Sequence, residues 1–287
     1  MLKASAQHDT WDPELGALEE ARVFMQPISR KILSLSNLAK RLQKGSQTST
    51  NSRTSKTVAK INAFSKEVNT WVSQESRTVL EAGKILGILG GDHSAPFGAL
   101  EVASKKHRDM GVLHLDAHFD LRRAYQGFTH SHASIFYNVM TECPSVSKLV
   151  QVGIRDFSQE EFDFAKSLGP RSRVFFDQDL VAARHSGRAW NETAQSIVQA
   201  LPEEVWVSFD IDGLDPRFCP NTGTPVPGGL DFDQAVSLLR ELVRTKRKII
   251  GFDLCEVAPG KNTEWNENVG MRLLWKMCGF TRASQRR

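Results

Sequence analysis

The sequence predicts an α/β fold in which a parallel sheet is covered by helices on both faces. Short apolar runs at 85–89, 111–115, 149–153, 174–176, 205–209 and 249–254 alternate with longer amphipathic stretches. Strict alternation of this kind requires crossover connections, and these lay helices over the sheet. Four of the runs lead into acids or histidines, at the position in such sheets where ligands gather. The composition agrees: of 287 residues 40% are hydrophobic and 24% charged, which is a globular balance and not a disordered one. No apolar run approaches the roughly 18 residues that a spanning helix requires.

In chain order, residues 1–16 are polar and mildly acidic, without the apolar stretch of a secretory signal or the Arg-rich face of a transit peptide. The expectation is a cytoplasmic protein. Over 16–42, Val23, Phe24, Ile28, Ile32, Leu35 and Leu38 recur every three or four positions and predict a helix. Residues 45–57, GSQTSTNSRTSKT, contain no apolar side chain and predict an exposed loop, followed by a second helix over 58–82. Between the apolar runs, helices are expected at 97–106, 131–140, 159–168, 190–200, 232–244 and 268–279. The chain therefore reads as one domain over 1–287, with a helical part at 1–80 and, at 81–287, the core of alternating strands and helices whose strand ends carry the acids and histidines.

The net charge of +4 is unevenly placed. Residues 21–66 carry ten Lys and Arg and no acid, which leaves 27 basic against 33 acidic residues elsewhere. These charges are spread over two helices and a loop with few aromatics between them, the pattern of a solvated face. Neither nucleic acid nor a membrane is expected as a partner. Cys143, Cys219, Cys255 and Cys278 form no CxxC pair and read as reduced, buried thiols.

The chemistry lies at the ends of the runs. GGDHS follows the first at 90–94, DAHFD the second at 116–120, and DIDGLDP begins at 210; the last run leads to Glu256. Period-two alternation puts Asp116, His118 and Asp120 on one side, and Asp210 with Asp212 on one side. Several carboxylates sharing one crevice repel unless cations neutralise them. Taken singly, GGDHS fits a turn in which Asp92 or Ser94 caps the next helix, and Asp215-Pro216 fits a turn. DIDGLDP fits a calcium loop except that Asn221 stands where the bidentate Glu belongs. Taken together, His93, His118, Asp116, Asp120, Asp210 and Asp212 are too rich in carboxylate for structural zinc and suit Mn²⁺. Six ligands fit two ions with shared carboxylates better than one, roughly 3.5–4 Å apart and able to lower the pKa of water between them.

GGDHS, DAHFD, SFDIDGLDP at 208–216, TGTPVPGGL at 222–230 and GFDLCEVAP at 251–259 together resemble the ureohydrolases, the arginase and agmatinase family. The resemblance covers the chain from about residue 81 to its end. It implies a three-layer α/β/α sandwich with a parallel central sheet. It also implies one Mn²⁺ held by His93, Asp116, Asp120 and Asp210 and a second by Asp116, His118, Asp210 and Asp212. Glu256 matches the carboxylate that pairs with a guanidinium, Asp120 doubles as acceptor of the nucleophile's proton, and His132 matches the proton donor to the leaving amine, with His130 the alternative. Thr224, Asp156 and Ser158 fall on the substrate side.

The implied activity is hydrolysis of a guanidino C–N bond to urea and an amine, best agmatine to putrescine in polyamine biosynthesis. Arginase or guanidinobutyrase activity is the alternative, as is a shortened, impaired metal-binding member. In GIRDFS at 153–158, Ser158 replaces the second acid that reads an amino acid's α-amine, which disfavours arginine. GGDHS argues against formimidoylglutamase. The resemblance further implies a homo-oligomer, trimer or hexamer, and a missing first strand, since the segment resembling the family's continuation begins at Leu2.

Overall fold

The computed structural model describes residues 1–17, 22–46 and 51–286. A short helix α1 (Leu2–Ser5) and a two-residue ribbon, β1 (Trp11–Asp12) with β2 (Gly16–Ala17), precede the long helices α2 (Arg30–Ser46) and α3 (Asn51–Glu81). There follow β3 (Leu86–Leu89), α4 (Phe97–Lys106), β4 (Met110–Leu115), α5 (Ile135–Glu142), β5 (Val146–Ile154), α6 (Gln159–Ser167) and β6 (Ser172–Phe176). The chain then runs through α7 (Asp177–His185), α8 (Trp190–Gln199), β7 (Glu204–Asp210), α9 (Phe232–Arg244), β8 (Lys248–Cys255) and α10 (Trp265–Ser284).

The six strands β3 to β8 form one sheet in the order β3-β8-β7-β4-β5-β6, with every pair parallel. Alternate residues of β4 face opposite layers. Leu113 and Leu115 pack with α7 to α10, through Leu180, Ile197, Leu239 and Leu273. Met110 and Val112 pack with α3 to α5, through Leu80, Leu100 and Phe136. This is the expected sandwich: a sheet apolar on both faces can only be buried between two helical layers. The order also makes the carboxyl ends of β3, β8, β7 and β4 neighbours, and those four ends carry the chemistry.

All six predicted strands are present. The departures lie before residue 81 and in one helix. The helix expected over 16–42 begins only at Arg30, because Pro27 disfavours helical backbone before it and Ser29 caps the new helix, accepting the N–H of Ile32 on its hydroxyl at 3.4 Å. Residues 22–29 carry no regular structure, and 18–21 lie outside the described residues. The loop expected over 45–57 is also overturned: helical backbone runs to Ser46 and resumes at Asn51, leaving only 47–50, which are not described. Polarity removed the pattern that marks a helix without removing the capacity to form one, and docking of α3 on α4 extends it. The helix α7 lies outside the expected set, although the sequence carries a signal for it: Asp177 and Asp179 stand in its first turn and Arg184 and His185 in its last, the arrangement that suits the helix dipole.

Candidate metal centre

The carboxylates and histidines of the strand ends converge, though strand alternation is not the cause. β4 ends at Leu115, and 116–120 is a loop held by its own polar groups. The His118 N–H donates to Asp116 Oδ1 at 2.6 Å. Asp120 adopts a left-handed φ of 56°, which Asp tolerates better than most residues, and its carbonyl accepts the Phe136 and Tyr137 N–H groups at 3.0 and 3.3 Å, at the start of α5. Asp210 closes β7, and a single 3₁₀ turn, Ile211–Gly213, carries Asp212 round so that its N–H donates to Asp210 Oδ1 at 2.9 Å. Gly213 is obligatory there: a Cβ would lie 2.7 Å from Asp116 N and 2.8 Å from Leu115 C.

Two half-sites result, sharing Asp116. On one side His93 Nδ1 lies 3.0 Å from Asp116 Oδ2, 3.1 Å from Asp120 Oδ2 and 3.4 Å from Asp210 Oδ2. On the other, His118 Nδ1 lies 3.3 Å from Asp116 Oδ1 and 3.2 Å from Asp212 Oδ2. The orientation of His93 is set from beneath. Ser208 Oγ is 2.8 Å from Asp253 Oδ1, where it must donate because a carboxylate only accepts; it therefore accepts His93 Nε2–H at 2.9 Å. That leaves Nδ1 facing the carboxylates. Trp206 Nε1–H donates to Asp253 Oδ2 at 2.6 Å and fixes the base of the chain. Sequence reasoning missed Ser208, Asp253 and Trp206, and also His114 beside Asp116. The readable signal was a polar residue inside apolar strands buried on both faces.

Electrostatics describes the same crowding. Like charges about 4 Å apart repel by roughly 4 kcal/mol per pair at an effective dielectric of 20. Burial and the charge of Asp116 push Asp120 up to about 8, and burial with Asp212 and Asp116 raises Asp210 well above the usual carboxylate range. Burial and Asp116 raise Asp212 as well. Burial alone would lift Asp116, yet the histidines His114, His118 and His93 hold it well below its ordinary value. Burial would lower His118, but Asp116 and Asp212 raise it to about 11. Without a cation, protons must stand in for one. A buried donor set of carboxylates and imidazoles in that condition fits divalent metal ions.

The other predicted site residues lie around this cluster. Glu256 sits at the end of β8 with a φ of 62°, its N–H donating to the Gly91 carbonyl at 2.8 Å and its Oε1 accepting the His93 N–H at 3.1 Å. Burial, then the charge of Asp92, raises it to about 7. Thr224 Oγ1 lies 3.5 Å from Asp212 Oδ2. His132 is lowered by burial and feels Asp92, His118, His93 and Asp116, whereas His130 packs edge-on against Phe97 at 5.4 Å and feels Glu142 and Lys66. Asp156 is 68% exposed beside His118, its Oδ2 3.9 Å from Nε2. The Ser158 hydroxyl is taken up in capping α6, donating to Glu161 Oε2 at 2.9 Å and accepting the Glu161 N–H. Of the GGDHS alternatives, Asp92 makes a local turn, accepting the Ser94 N–H at 3.0 Å, and Pro96 precedes α4. Arg155 binds the loops together, donating to the carbonyls of Gly153, Asp212, Leu214 and Val226.

Residues 26–279 match the family model described as "Arginase family". The chain belongs to the arginase family. An N(1)-aminopropylagmatine ureohydrolase of Thermus thermophilus is 35% identical over 203 residues, 69% of this chain and 64% of that protein. A guanidinobutyrase of Pseudomonas aeruginosa is 32% identical over 215 residues, 72% of this chain and 63% of that protein. The chain thus matches less than two thirds of the length of these relatives. Among solved structures, the proclavaminate amidino hydrolase of Streptomyces clavuligerus superposes with a TM-score of 0.65 at 28% identity, covering 75% of this chain and 70% of that one. The arginase family is metal-dependent, and the cluster of buried His and Asp at the strand ends is where this member could hold metal. Among the described residues no helix is long and apolar enough to cross a membrane.

Proposed function

We propose that the protein hydrolyses the guanidino C–N bond of agmatine to give putrescine and urea, using two Mn²⁺ ions. The observation that carries this reading is the pair of half-sites joined through Asp116, with the Glu256 carboxylate held beside them by the His93 N–H. His93, Asp116, Asp120 and Asp210 would hold one ion, and Asp116, His118, Asp210 and Asp212 the other. Bound there, the ions supply Lewis acidity and an activated water.

The chain's own side chains supply the rest. Glu256 accepts the guanidinium fork in a charge-assisted pair and fixes the electrophilic carbon over the site. Asp120 accepts a proton from the attacking water as the new C–O bond forms, and His132 delivers a proton to the departing amine nitrogen as the C–N bond breaks. A guanidinium is a weak electrophile, so this positioning carries much of the catalysis. Against arginine, the Ser158 hydroxyl is committed to its helix cap and offers no charge to an α-amine. Asp156, exposed beside His118, is available to the distal amine of agmatine. The Thermus relative's name describes action on an agmatine derivative, which agrees in chemical class.

The test is urea release by the manganese-loaded protein from agmatine, arginine and guanidinobutyrate. Agmatine should give the highest kcat/KM. No urea from any of them refutes the activity, and preference for another compound refutes the substrate. Replacing Glu256 by Gln should raise KM for the guanidino substrate about 10–100-fold, the worth of a charge-assisted hydrogen bond, with manganese content unchanged. An unaltered KM removes Glu256 from that role. His132→Ala should cut kcat by about 10²–10⁴ with both metals retained; a normal kcat would point instead to His130 or solvent as the donor.

A further inference from the structure

The register of the sheet lines up four polar side chains across four adjacent strands. Gln151 of β5 pairs with His114 of β4, His114 with Ser208 of β7, and Ser208 with Asp253 of β8. Each is 0% exposed. Buried polar groups on this scale are expected to be joined in a hydrogen-bonded network. Half of the row, Ser208 with Asp253, orients His93 as described above.

The other half concerns His114, whose Nε2 lies 2.8 Å from Asp116 Oδ2, close enough to the donor cluster to be taken for one more ligand. Its neighbour on β5 decides otherwise. Gln151 Nε2 lies 2.8 Å from the Phe119 carbonyl oxygen and 3.0 Å from His114 Nδ1. Only an N–H suits a carbonyl oxygen, and turning the amide over would set Oε1 against it, acceptor to acceptor. Gln151 Oε1 has no hydrogen-bond partner among the described residues, so nothing favours the reverse orientation. The second amide N–H then points at Nδ1 and requires a lone pair there. The imidazole proton is therefore on Nε2, directed at Asp116 Oδ2.

We infer that His114 is a positioning residue, locked by Gln151 in the Nε2–H tautomer, which holds the shared carboxylate of Asp116 and does not itself bind metal. The histidines His93 and His114 stand 5.2 Å apart ring to ring, and the polar row gives them opposite tasks. Ser208 accepts the Nε2–H of His93 on the side away from Asp116, Asp120 and Asp210 and so frees Nδ1 for a cation. Gln151 occupies the lone pair of His114 on the side away from Asp116 and so leaves a donor facing it. A carboxylate that must serve two half-sites has little freedom to rotate, and a fixed N–H on Oδ2, with the His118 N–H on Oδ1, pins both of its oxygens.

This inference rests on the two-ion reading, and the experiment separates the two. Selective ¹⁵N labelling of the imidazoles, assigned with the His114→Phe variant, should show a protonated Nε2 and an unprotonated Nδ1 for His114 in metal-free protein. The pattern should persist when Zn²⁺, a diamagnetic probe, shifts the resonances of His93 and His118. In manganese titrations His114→Phe should lower affinity about 10–100-fold; an aromatic ring is kept against Phe136, whose centroid lies 4.1 Å from that of His114. His114→Gln, which retains an N–H at similar reach, should recover most of that loss. A proton on Nδ1, a zinc-induced shift of His114 Nε2 typical of ligation, or wild-type manganese affinity in His114→Phe would each overturn the inference while leaving the two-ion site standing. Wild-type protein that binds no cation yet keeps the expected tautomer would overturn the two-ion reading, and the positioning role with it.

Discussion

Asp116→Ala should lose bound manganese and urea production together, with activity falling by about 10³-fold or more. Both oxygens of this carboxylate are in use. Oδ2 faces His93 Nδ1 at 3.0 Å and Oδ1 faces His118 Nδ1 at 3.3 Å, so the residue belongs to both half-sites. Its removal takes one oxygen from each at once, whereas loss of Asp120 would leave the His118 side intact. The several kcal/mol that bound metals contribute to a transition state convert, at about 1.4 kcal/mol per tenfold, to the expected loss. Asp116→Asn is the companion variant, because it keeps the shape and an acceptor for the His118 N–H. Elemental analysis, urea assay and a melting curve on both variants separate metal loss from misfolding. A folded Asp116→Ala protein with full metal content and normal turnover would end the assignment.

How far the sequence discloses this molecule depends on which physical signal each part carries. β4 and β7 lie in the sheet's interior and are mostly apolar, so short runs with a chemical residue at the end mark them plainly. The amino-terminal helices carry a weaker signal. Ile32, Leu35, Leu38 and Leu42 of α2 are only partly covered, and the same apolar spacing continues through 23–28, where Pro27 and not the pattern decides the backbone. Among the ligands, residue type and strand-end position sufficed to assemble His93, Asp116, His118, Asp120, Asp210 and Asp212. The route by which they converge was hidden, because it depends on a left-handed Asp120, a 3₁₀ turn and a glycine that lets two backbones touch. The supporting row was hidden for a different reason. Gln151, His114, Ser208 and Asp253 are separated along the chain and meet only through strand register, which one sequence does not specify.

The same crowded charges set how the metal-free fold responds to pH. After removal of divalent ions, its melting temperature should fall as pH rises from 6.5 to 8, by several degrees. Asp120 is raised from 3.8 to about 8 and His118 from 6.5 to about 11, so over this window the folded chain binds protons that the unfolded chain has released. Stability must then decrease with pH, since its slope follows the protons bound unfolded minus those bound folded, at about 1.4 kcal/mol per proton per pH unit. Glu256, raised from 4.5 to about 7, adds to the fall in the lower part of the window. His132 and His114 are lowered from 6.5, and Asp116 is lowered from 3.8, so their opposing contributions change mainly below the window. At about 2–4 °C per kcal/mol for a chain of this size the trend is measurable by calorimetry. Manganese-loaded protein should show little of it, because cations replace the protons that hold the carboxylates together, and the gap between the two melting curves should widen with pH. A metal-free protein whose stability is level or rises from pH 6.5 to 8 would mean that the carboxylates of Asp116, Asp120, Asp210 and Asp212 do not share one low-dielectric site.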